Sequence, residues 1–230
     1  NYFSASENLL RDRPLVASAG NHDFFFDRDG ENVDRFLGEA IDRRFYSFRS
    51  GPVFVVVLDS THVNDPAFNR EQLAWLEQTL RRQKEAEAGP AWTLVLFHHA
   101  VYTESFAHGF LGNFSPSPHI RLLKDYEPLF VEYAVDLVVT GHVHLLERSY
   151  KDGVQYLVGG PAGGLMGIRT IDNPYSQLSL PVRSATAFTA TPTSLRFRSF
   201  DKKGTELDTY VLTKGGGERQ DSRRKEAHLN

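Results

Sequence analysis

Three short apolar runs in the middle of the chain limit the folds that it can adopt. They cover residues 53–58 (VFVVVL), 92–97 (WTLVLF) and 137–139 (LVV). Each run is continuous rather than alternating, which is typical of strands that are covered on both faces. A helix-length segment lies between the first two runs, and strand–helix–strand order favours layers of helices on a sheet. The sequence therefore predicts a layered α/β fold.

Two helices are predicted beside these strands. The first begins after Asn69, which we place at the N-cap with Gln72 three residues later. Residues 89–90 (Gly-Pro) are expected to end it. The second helix is predicted over residues 121–134. The apolar stripe of the first helix comprises Leu73, Leu76 and Leu80.

Further strands are predicted on both sides of this central region. The last two are expected to form a β-hairpin, because a charged turn that contains glycine separates them. The predicted strands cover residues 15–19, 44–48, 154–158, 195–200 and 207–212.

Several segments have no hydrophobic period. Residues 103–118 are predicted to be a long loop, which is often functional in a compact domain. The glycine-rich residues 159–164 predict a tight turn near the site, and residues 165–192 are expected to be irregular. We expect one domain over residues 1–213 and a disordered polar tail over residues 214–230.

Composition excludes several classes of protein. With 230 residues, 40% of them hydrophobic, the chain can bury the core of one domain. The net charge of −3 argues against nucleic acid as a bulk partner, and cysteine is absent. The longest apolar run is far too short to span a bilayer. Because the chain begins at Asn1 and its one methionine is Met166, we expect the natural start, with any signal peptide, to lie upstream.

Polar residues with metal-binding side chains follow three of the predicted strands. GNHD (residues 20–23) follows the strand at 15–19, His98 and His99 follow the strand at 92–97, and GHVH (residues 141–144) follows LVVT. Ligands of α/β sheets gather at the carboxyl ends of the strands, so these residues are expected to meet. In an extended segment, two histidines at positions i and i+2 point to the same side.

The donor types indicate which ions would suit such a site. Neutral oxygen and nitrogen donors fit borderline ions such as zinc, manganese or iron. A structural turn is the alternative for each motif taken singly, since Gly, Asn and Asp all favour turns. We interpret Asp59, after the strand at 53–58, as such a turn residue. The candidate ligands are Asn21, His98, His142 and His144.

These motifs, in this order, resemble the calcineurin-type metallophosphoesterases. GHVHLLERSY is particularly similar to purple acid phosphatases and their bacterial relatives. The resemblance covers about residues 14–212 and implies a β-sandwich of two mixed sheets flanked by helices. It also implies a hydrolase that attacks a phosphate monoester of a small molecule or peptide with a metal-activated hydroxide. An extracytoplasmic location is the one that the resemblance favours.

The resemblance also implies a role for each motif residue. Asn21, His98 and His142 would bind one metal ion, and His144 would bind a second ion roughly 3.5–4 Å away. The two ions would be iron, zinc or manganese. His22, oriented by Asp23, would stabilise or protonate the leaving oxygen.

The chain departs from the family pattern before Gly20. The Asp-x-His and Gly-Asp motifs that precede GNHD in this family do not occur here. They supply a bridging carboxylate, so we expect the first strands of the fold to be missing and the chain alone to be inactive. A phosphodiesterase, or a binding or scaffold protein that has lost catalysis, are the alternative functions.

Overall fold

The structure is a computed structural model that describes residues 7–8, 10–25, 30–37, 44–86, 91–105 and 118–214. The predictions for residues 89–90 and 215–230, and most of the loop at 103–118, therefore lie outside the described residues. The helices, in chain order, are a 3-10 helix (Asn21–Phe24), α1 (Glu31–Leu37), α2 (Pro66–Glu85), α3 (Pro118–Arg121), a π-helix (Leu122–Tyr126) and α4 (Glu127–Glu132). The strands are β1 (Tyr46–Ser50), β2 (Val53–Val57), β3 (Trp92–Leu96), β4 (Leu137–Thr140), β5 (Leu146–Lys151), β6 (Val154–Gly159), β7 (Ser176–Leu180), β8 (Ser184–Ala190), β9 (Ser194–Asp201) and β10 (Glu206–Thr213).

The strands form one large and one small sheet. The large sheet has the order β1-β2-β3-β4-β6-β5-β7, in which β2, β3, β4 and β6 are parallel and the outer pairs are antiparallel. The small sheet has the order β10-β9-β8, and both of its pairs are antiparallel. The predicted layered α/β fold is thus confirmed. Of the two mixed sheets expected, the large one is mixed and the small one is antiparallel.

The large sheet is covered on both faces, as the continuous apolar runs predicted. On one face, buried valines such as Val95 and Val138 pack with Leu76 of α2 and Phe130 of α4. On the other face, a second core forms between the large sheet and the small sheet. Its buried members include Leu94, Leu137, Leu157, Phe197 and Tyr210. The alternation of Leu137 and Val138 between the two cores follows from the period of two along a strand.

Helix α2 begins four residues before the expected position. Asp65 is its N-cap, and the Asp65 carboxylate accepts hydrogen bonds from the backbone N–H groups of Ala67 (2.8 Å) and Phe68 (3.0 Å). Pro66 occupies the first turn, where no N–H partner is needed. The prediction of Asn69 as N-cap was therefore wrong: Asn69 is a buried helical residue whose Oδ1 accepts a hydrogen bond from the Tyr126 hydroxyl (2.8 Å).

Two of the strand predictions were wrong. Residues 15–19 belong to no strand: Leu15 and Val16 are exposed, and Ala19 is the buried residue of the run. Within residues 165–192, β7 and β8 are regular strands. They lacked a hydrophobic signal because their side chains are largely exposed or half-buried and they are held by backbone pairing.

The predicted hairpin is confirmed as β9–β10. Among the described residues, no helix has the length and apolar content needed to cross a bilayer.

A buried ion pair joins the two sheets. Arg148 of β5 donates hydrogen bonds from Nε (2.9 Å) and Nη2 (3.3 Å) to the carboxylate of Asp208 in β10. Both side chains are almost fully buried, with 3% and 8% of their surface exposed. The guanidinium group also lies 4.4 Å from the ring centre of Tyr210. Removing one partner of such a pair leaves a buried charge without compensation.

We expect Asp208→Asn to destabilise the fold by about 3–5 kcal/mol, because the Arg148 charge would remain buried. Urea unfolding followed by circular dichroism measures this change. The matched control is Glu206→Gln on the same strand, whose carboxylate pairs with Arg198 on the exposed face. The control should unfold close to wild type, because solvent screens an exposed pair. Equal midpoints for the two variants would contradict the role of the buried pair.

Candidate metal centre

The parallel pairing of β3 and β4 continues past the ends of both strands. Phe97 N donates to Val139 O (3.2 Å), and Gly141 N donates to His98 O (2.9 Å). This continuation holds the turn that carries His98 against the turn that carries His142. The two histidines, 44 residues apart in the chain, are therefore brought together at the carboxyl edge of the sheet.

Three side-chain atoms converge at this edge. His98 Nε2 lies 2.8 Å from Asn21 Oδ1 and 3.1 Å from His142 Nδ1, and His142 Nδ1 lies 3.3 Å from Asn21 Oδ1. The three atoms thus form a small triangle of donor atoms. They belong to three of the four residues that the sequence predicted as metal ligands.

A close approach of backbone to ring places Asn21 in this triangle. A Cβ atom on Gly20 would lie 2.6 Å from His98 Nδ1, so only glycine fits there. Asp23 accepts a hydrogen bond from Gly20 N (2.8 Å), which closes the turn of the 3-10 helix. The preceding segment is held by the Ser18 hydroxyl, which donates to Leu58 O (3.0 Å). The GNHD motif is thus fixed at the end of β2 and beside β3, although no strand leads into it.

The GHVH segment is not extended, so the expectation of two histidines on one side of a strand was wrong. His142 and His144 both have left-handed backbone conformations, with φ of 70° and 56°. His142 Nδ1 is part of the triangle, whereas the His144 ring lies against the loop after β6, where a Cβ on Gly164 would lie 2.9 Å from His144 Cε1. Among the described residues, the group of mutually close histidines is His98, His99 and His142.

His99 belongs to this group, although sequence reasoning gave it no role. Its ring centre lies 4.4 Å from that of His142 and 4.9 Å from that of His98. Burial, together with the neighbouring His142 and His98, lowers the pKa of His99 to about 2, so the ring is neutral. Ser60 Oγ accepts from His99 N (3.0 Å) and lies 2.9 Å from His99 Nδ1. Ser60 thus anchors both the backbone and the ring of His99.

Asp59 is a structural residue, as predicted. It is fully buried, and one carboxylate oxygen accepts from Thr61 N (2.7 Å) and His62 N (3.3 Å). The other oxygen lies 2.7 Å from His62 Nδ1. These contacts build the turn after β2, and they leave the carboxylate directed at its own turn.

Among the described histidines, His22 is not part of the close group of His98, His99 and His142. It is exposed, and its ring stacks on Phe25 with 6.1 Å between ring centres. The Asp23 carboxylate accepts the hydrogen bond from Gly20 N described above. The orientation of His22 by Asp23 stays a prediction.

The donor triangle fits a metal ion of ordinary size. Ligands of a tetrahedral zinc ion with bonds of about 2.0–2.1 Å lie roughly 3.3–3.4 Å apart. The observed separations of 2.8, 3.1 and 3.3 Å need to widen only slightly. Asn21 Oδ1 carries no proton, and the two ring nitrogens can act as acceptors, so a cation would satisfy all three atoms together.

Comparison with known proteins identifies the family. The sequence model for calcineurin-like phosphoesterases matches residues 2–146, which is more than half of the chain. The chain therefore belongs to the calcineurin-like phosphoesterase family.

Curated relatives include purple acid phosphatases. The Fe(3+)-Zn(2+) purple acid phosphatase 12 of Arabidopsis thaliana is 28% identical over 157 residues, which cover 63% of this chain and 31% of the relative. The phosphoenolpyruvate phosphatase of Allium cepa is 35% identical over 157 residues, covering 63% of this chain and 30% of the relative. The chain thus spans about a third of the length of these relatives.

Solved structures agree with the fold. The purple acid phosphatase PPD1 of yellow lupin superposes with a TM-score of 0.67 at 21% identity, over 88% of this chain and 38% of that one. GAP50, described as the anchor in the inner membrane complex of Plasmodium, gives a TM-score of 0.65 at 14% identity, over 87% of this chain and 65% of that one. At these identities the likeness concerns the fold alone.

We expect Gly20→Ala to weaken zinc binding by about 10–100-fold, the usual effect of disturbing the support of a ligand. The new methyl group would displace His98 from the triangle, whereas the rest of the fold is not touched. Isothermal titration with Zn²⁺ measures the affinity. Gly163→Ala is the matched control, because a Cβ there meets no atom within 4 Å. Wild-type affinity in both variants would show that this close approach does not position the ligand.

Proposed function

We propose that the protein is a metal-dependent phosphatase that hydrolyses phosphate monoesters of small molecules or peptides. The observation that carries this proposal is the convergence of Asn21, His98 and His142 at the carboxyl edge of the sheet. Membership of the calcineurin-like phosphoesterases and relatives named as phosphatases support the reaction class.

Each residue of the site has a proposed role. Asn21 Oδ1, His98 Nε2 and His142 Nδ1 hold one ion, and His144 holds a second. Iron, zinc and manganese suit these donors. Such ions, when bound, neutralise phosphoryl charge and acidify water. His22, which we propose is oriented by Asp23, donates a proton to the leaving oxygen.

The second ion requires anionic ligands in addition to these residues. Two divalent ions about 4 Å apart repel each other by on the order of 15 kcal/mol at an effective dielectric constant of about 20. Neutral asparagine and histidine donors cannot offset this repulsion. Asp59 is directed at its own turn, and Asp12 is exposed. We therefore propose that residues 1–230 alone hold one ion tightly and have negligible phosphatase activity.

A phosphodiesterase of the same family, or a scaffold protein without catalysis, are the alternatives. A scaffold has no need of three converging donor atoms, two of them on imidazole rings. The convergence therefore favours the enzyme.

An extracytoplasmic location is also proposed, on the resemblance to purple acid phosphatases. Finding the protein confined to the cytosolic fraction of its source cells would refute that location.

Titration of residues 1–230 with Zn²⁺ should reveal one tight site, because the described donors can surround one ion but cannot neutralise two. His98→Ala should reduce the affinity by about 100-fold or more, since it removes a ligand rather than its support. A parallel assay with a nitrophenyl phosphate should show negligible turnover.

His99→Ala is the matched control for this titration. The residue is adjacent to His98, but its Nδ1 lies 2.9 Å from Ser60 Oγ and its ring is outside the triangle of Asn21, His98 and His142, so its loss should leave the tight site occupied. Two tight sites with turnover would show that a carboxylate within residues 1–230 completes the centre. Equal loss of metal in the two variants would show that the ligand is not His98 alone.

His22→Ala should slow turnover by about 10²–10⁴-fold while metal content stays unchanged, as expected for loss of a positioned acid. Turnover and metal content should be measured in an active protein that contains this chain. The loss should be smaller for nitrophenyl phosphate than for phenyl phosphate, because nitrophenolate leaves without a proton. An equal loss for the two esters would argue against the role of His22.

A further inference from the structure

Glu147 of β5 is a buried carboxyl group that the proposed reaction does not use. The residue is 2% exposed, and it pairs with Val158 of β6 on one side and with Ser179 of β7 on the other. Side chains alternate along a strand, so Glu147 lies on the opposite face of the sheet from Arg148, whose charge is paired with Asp208. The cation adjacent to Glu147 in the sequence therefore does not neutralise it.

The two carboxyl oxygens of Glu147 have different surroundings. Oε1 accepts hydrogen bonds from Glu104 N (2.7 Å) and from the Ser179 hydroxyl (3.3 Å). Oε2 is also buried, but it has no hydrogen-bond partner among the described residues. Burying an ionised carboxylate is costly unless donors or a cation face its oxygens. A proton on Oε2 removes that charge, so the geometry favours the neutral carboxylic acid.

The groups that face Glu147 agree with a neutral carboxyl. Burial raises the pKa of Glu147 above its ordinary value, although hydrogen bonds from the Thr103 hydroxyl and from Glu104 N oppose this change. The negative charge of the Glu104 side chain raises the pKa of Glu147 further, because like charges repel. On the adjoining loop, the charged residues that line one cleft with Glu104 are Arg169 and Asp172. Both are exposed, so solvent screens their charges.

Glu104 connects Glu147 to a second part of the chain. Its N–H donates to Glu147 Oε1, and its carbonyl oxygen accepts from Thr170 N (2.7 Å) and Ile171 N (3.1 Å) in the loop between β6 and β7. We call this chain of contacts, from Glu147 through Glu104 to the two loop amides, the carboxyl latch. It ties the segment that follows β3 to the loop that follows β6.

We propose that the carboxyl latch is operated by a proton. While the Glu147 side chain is neutral, the latch is closed and the loop is held to Glu104. When Glu147 ionises, its charge is buried without a cation, and opening of the segment at Glu104 admits water that solvates the carboxylate. The loop is then released at Thr170 and Ile171. This inference goes beyond the proposed function, since it involves neither a metal ion nor a substrate.

The direction of the pH dependence follows from the raised pKa of the closed form. In the open latch Glu147 contacts water and titrates near the ordinary value for glutamate, about 4.3. The closed latch is therefore fully favoured below that value. This preference is lost as the pH rises from there to the higher pKa of the closed form, and it changes no further above it. Within this range one proton is released on opening, so the equilibrium constant for opening rises by at most about tenfold per pH unit.

Hydrogen exchange of the Thr170 and Ile171 amides tests the latch in residues 1–230 without added metal. Their protection factors, corrected for the intrinsic pH dependence of exchange, should fall by at least about tenfold between about pH 5 and pH 8. The Phe97 amide, which donates to Val139 O in the core, should keep its protection over this range. Unchanged protection of the two loop amides overturns the proposal. An equal fall at Phe97 also overturns it, because that result would indicate global unfolding.

Glu147→Gln gives a sharper test, because the amide has the same shape and does not ionise. Its side-chain oxygen can still accept from Glu104 N and from the Ser179 hydroxyl, so the latch should stay closed at every pH. Protection at Thr170 and Ile171 should become independent of pH and should match the wild-type value at pH 5. Protection that still falls with pH in this variant would overturn the proposal.

Glu127→Gln is the matched control. Glu127 is likewise buried, but its Oε1 accepts from Lys151 Nζ (2.7 Å) and from the Tyr102 hydroxyl (2.9 Å), so a cation faces it. The control should keep the pH dependence of the two loop amides and should unfold at a lower urea concentration than wild type. Glu147→Gln should be at least as stable as wild type at pH 8. A loss of stability in Glu147→Gln at that pH would show that the fold needs the ionised carboxylate, and would contradict the latch.

The wild-type chain provides a measurement that needs no variant. Carboxyl ¹³C labelling of glutamate allows the Glu147 side chain to be titrated by NMR. Its midpoint should lie above the ordinary glutamate value and should coincide with the upper end of the fall in amide protection. A midpoint at or below the ordinary value overturns the proposal, even where Glu147→Gln does not fold. None of these readouts involves zinc or a phosphate ester, so failure of the latch and failure of the proposed function are distinguishable.

Discussion

The register between β3 and β4 is the constraint on which the site depends. Leu96 pairs with Val139, and the backbone bonds continue to His98 and Gly141. A shift of one residue in a strand would turn its core side chains to the opposite face, so the two apolar cores fix this register. The ligand geometry is thus a consequence of how Leu94, Leu137 and Val138 are packed. The strands that build the core thus also hold the candidate metal centre.

Much of the fold was predictable because the central strands carry their own signal. The runs at 53–58, 92–97 and 137–139 are covered on both faces, so every residue in them except Thr93 is apolar. Strands β7 and β8 carry no such signal, since backbone hydrogen bonds rather than buried side chains hold them at the sheet margins. The start of α2 was misplaced because Asp65 and Asn69 are both good N-cap residues, and Pro66 was the feature that distinguished them.

Three of the four predicted ligands meet at the candidate site, but its geometry could not be predicted. Strand ends in an α/β sheet share one edge, which is why His98 and His142 could be expected together. Asn21 joins them although the strand predicted before it does not form. The left-handed turns at His142 and His144 could not be expected, since a positive φ is uncommon for any residue other than glycine, although histidine is enriched among the exceptions. The place of His99 in the cluster was missed because its ring is held by Ser60, a residue 39 positions away that no local pattern connects to it.

The backbone at His142 and His144 also bears on how this chain could change. A left-handed conformation costs a residue with a side chain about 1 kcal/mol or more, and glycine avoids that cost. Replacing either histidine with glycine would therefore relax the turn while it removed a donor atom. At these two positions, selection for fold stability and selection for chemistry oppose each other. If the proposed catalysis were lost, glycine would be expected to replace these imidazoles early, because it relieves the left-handed backbone.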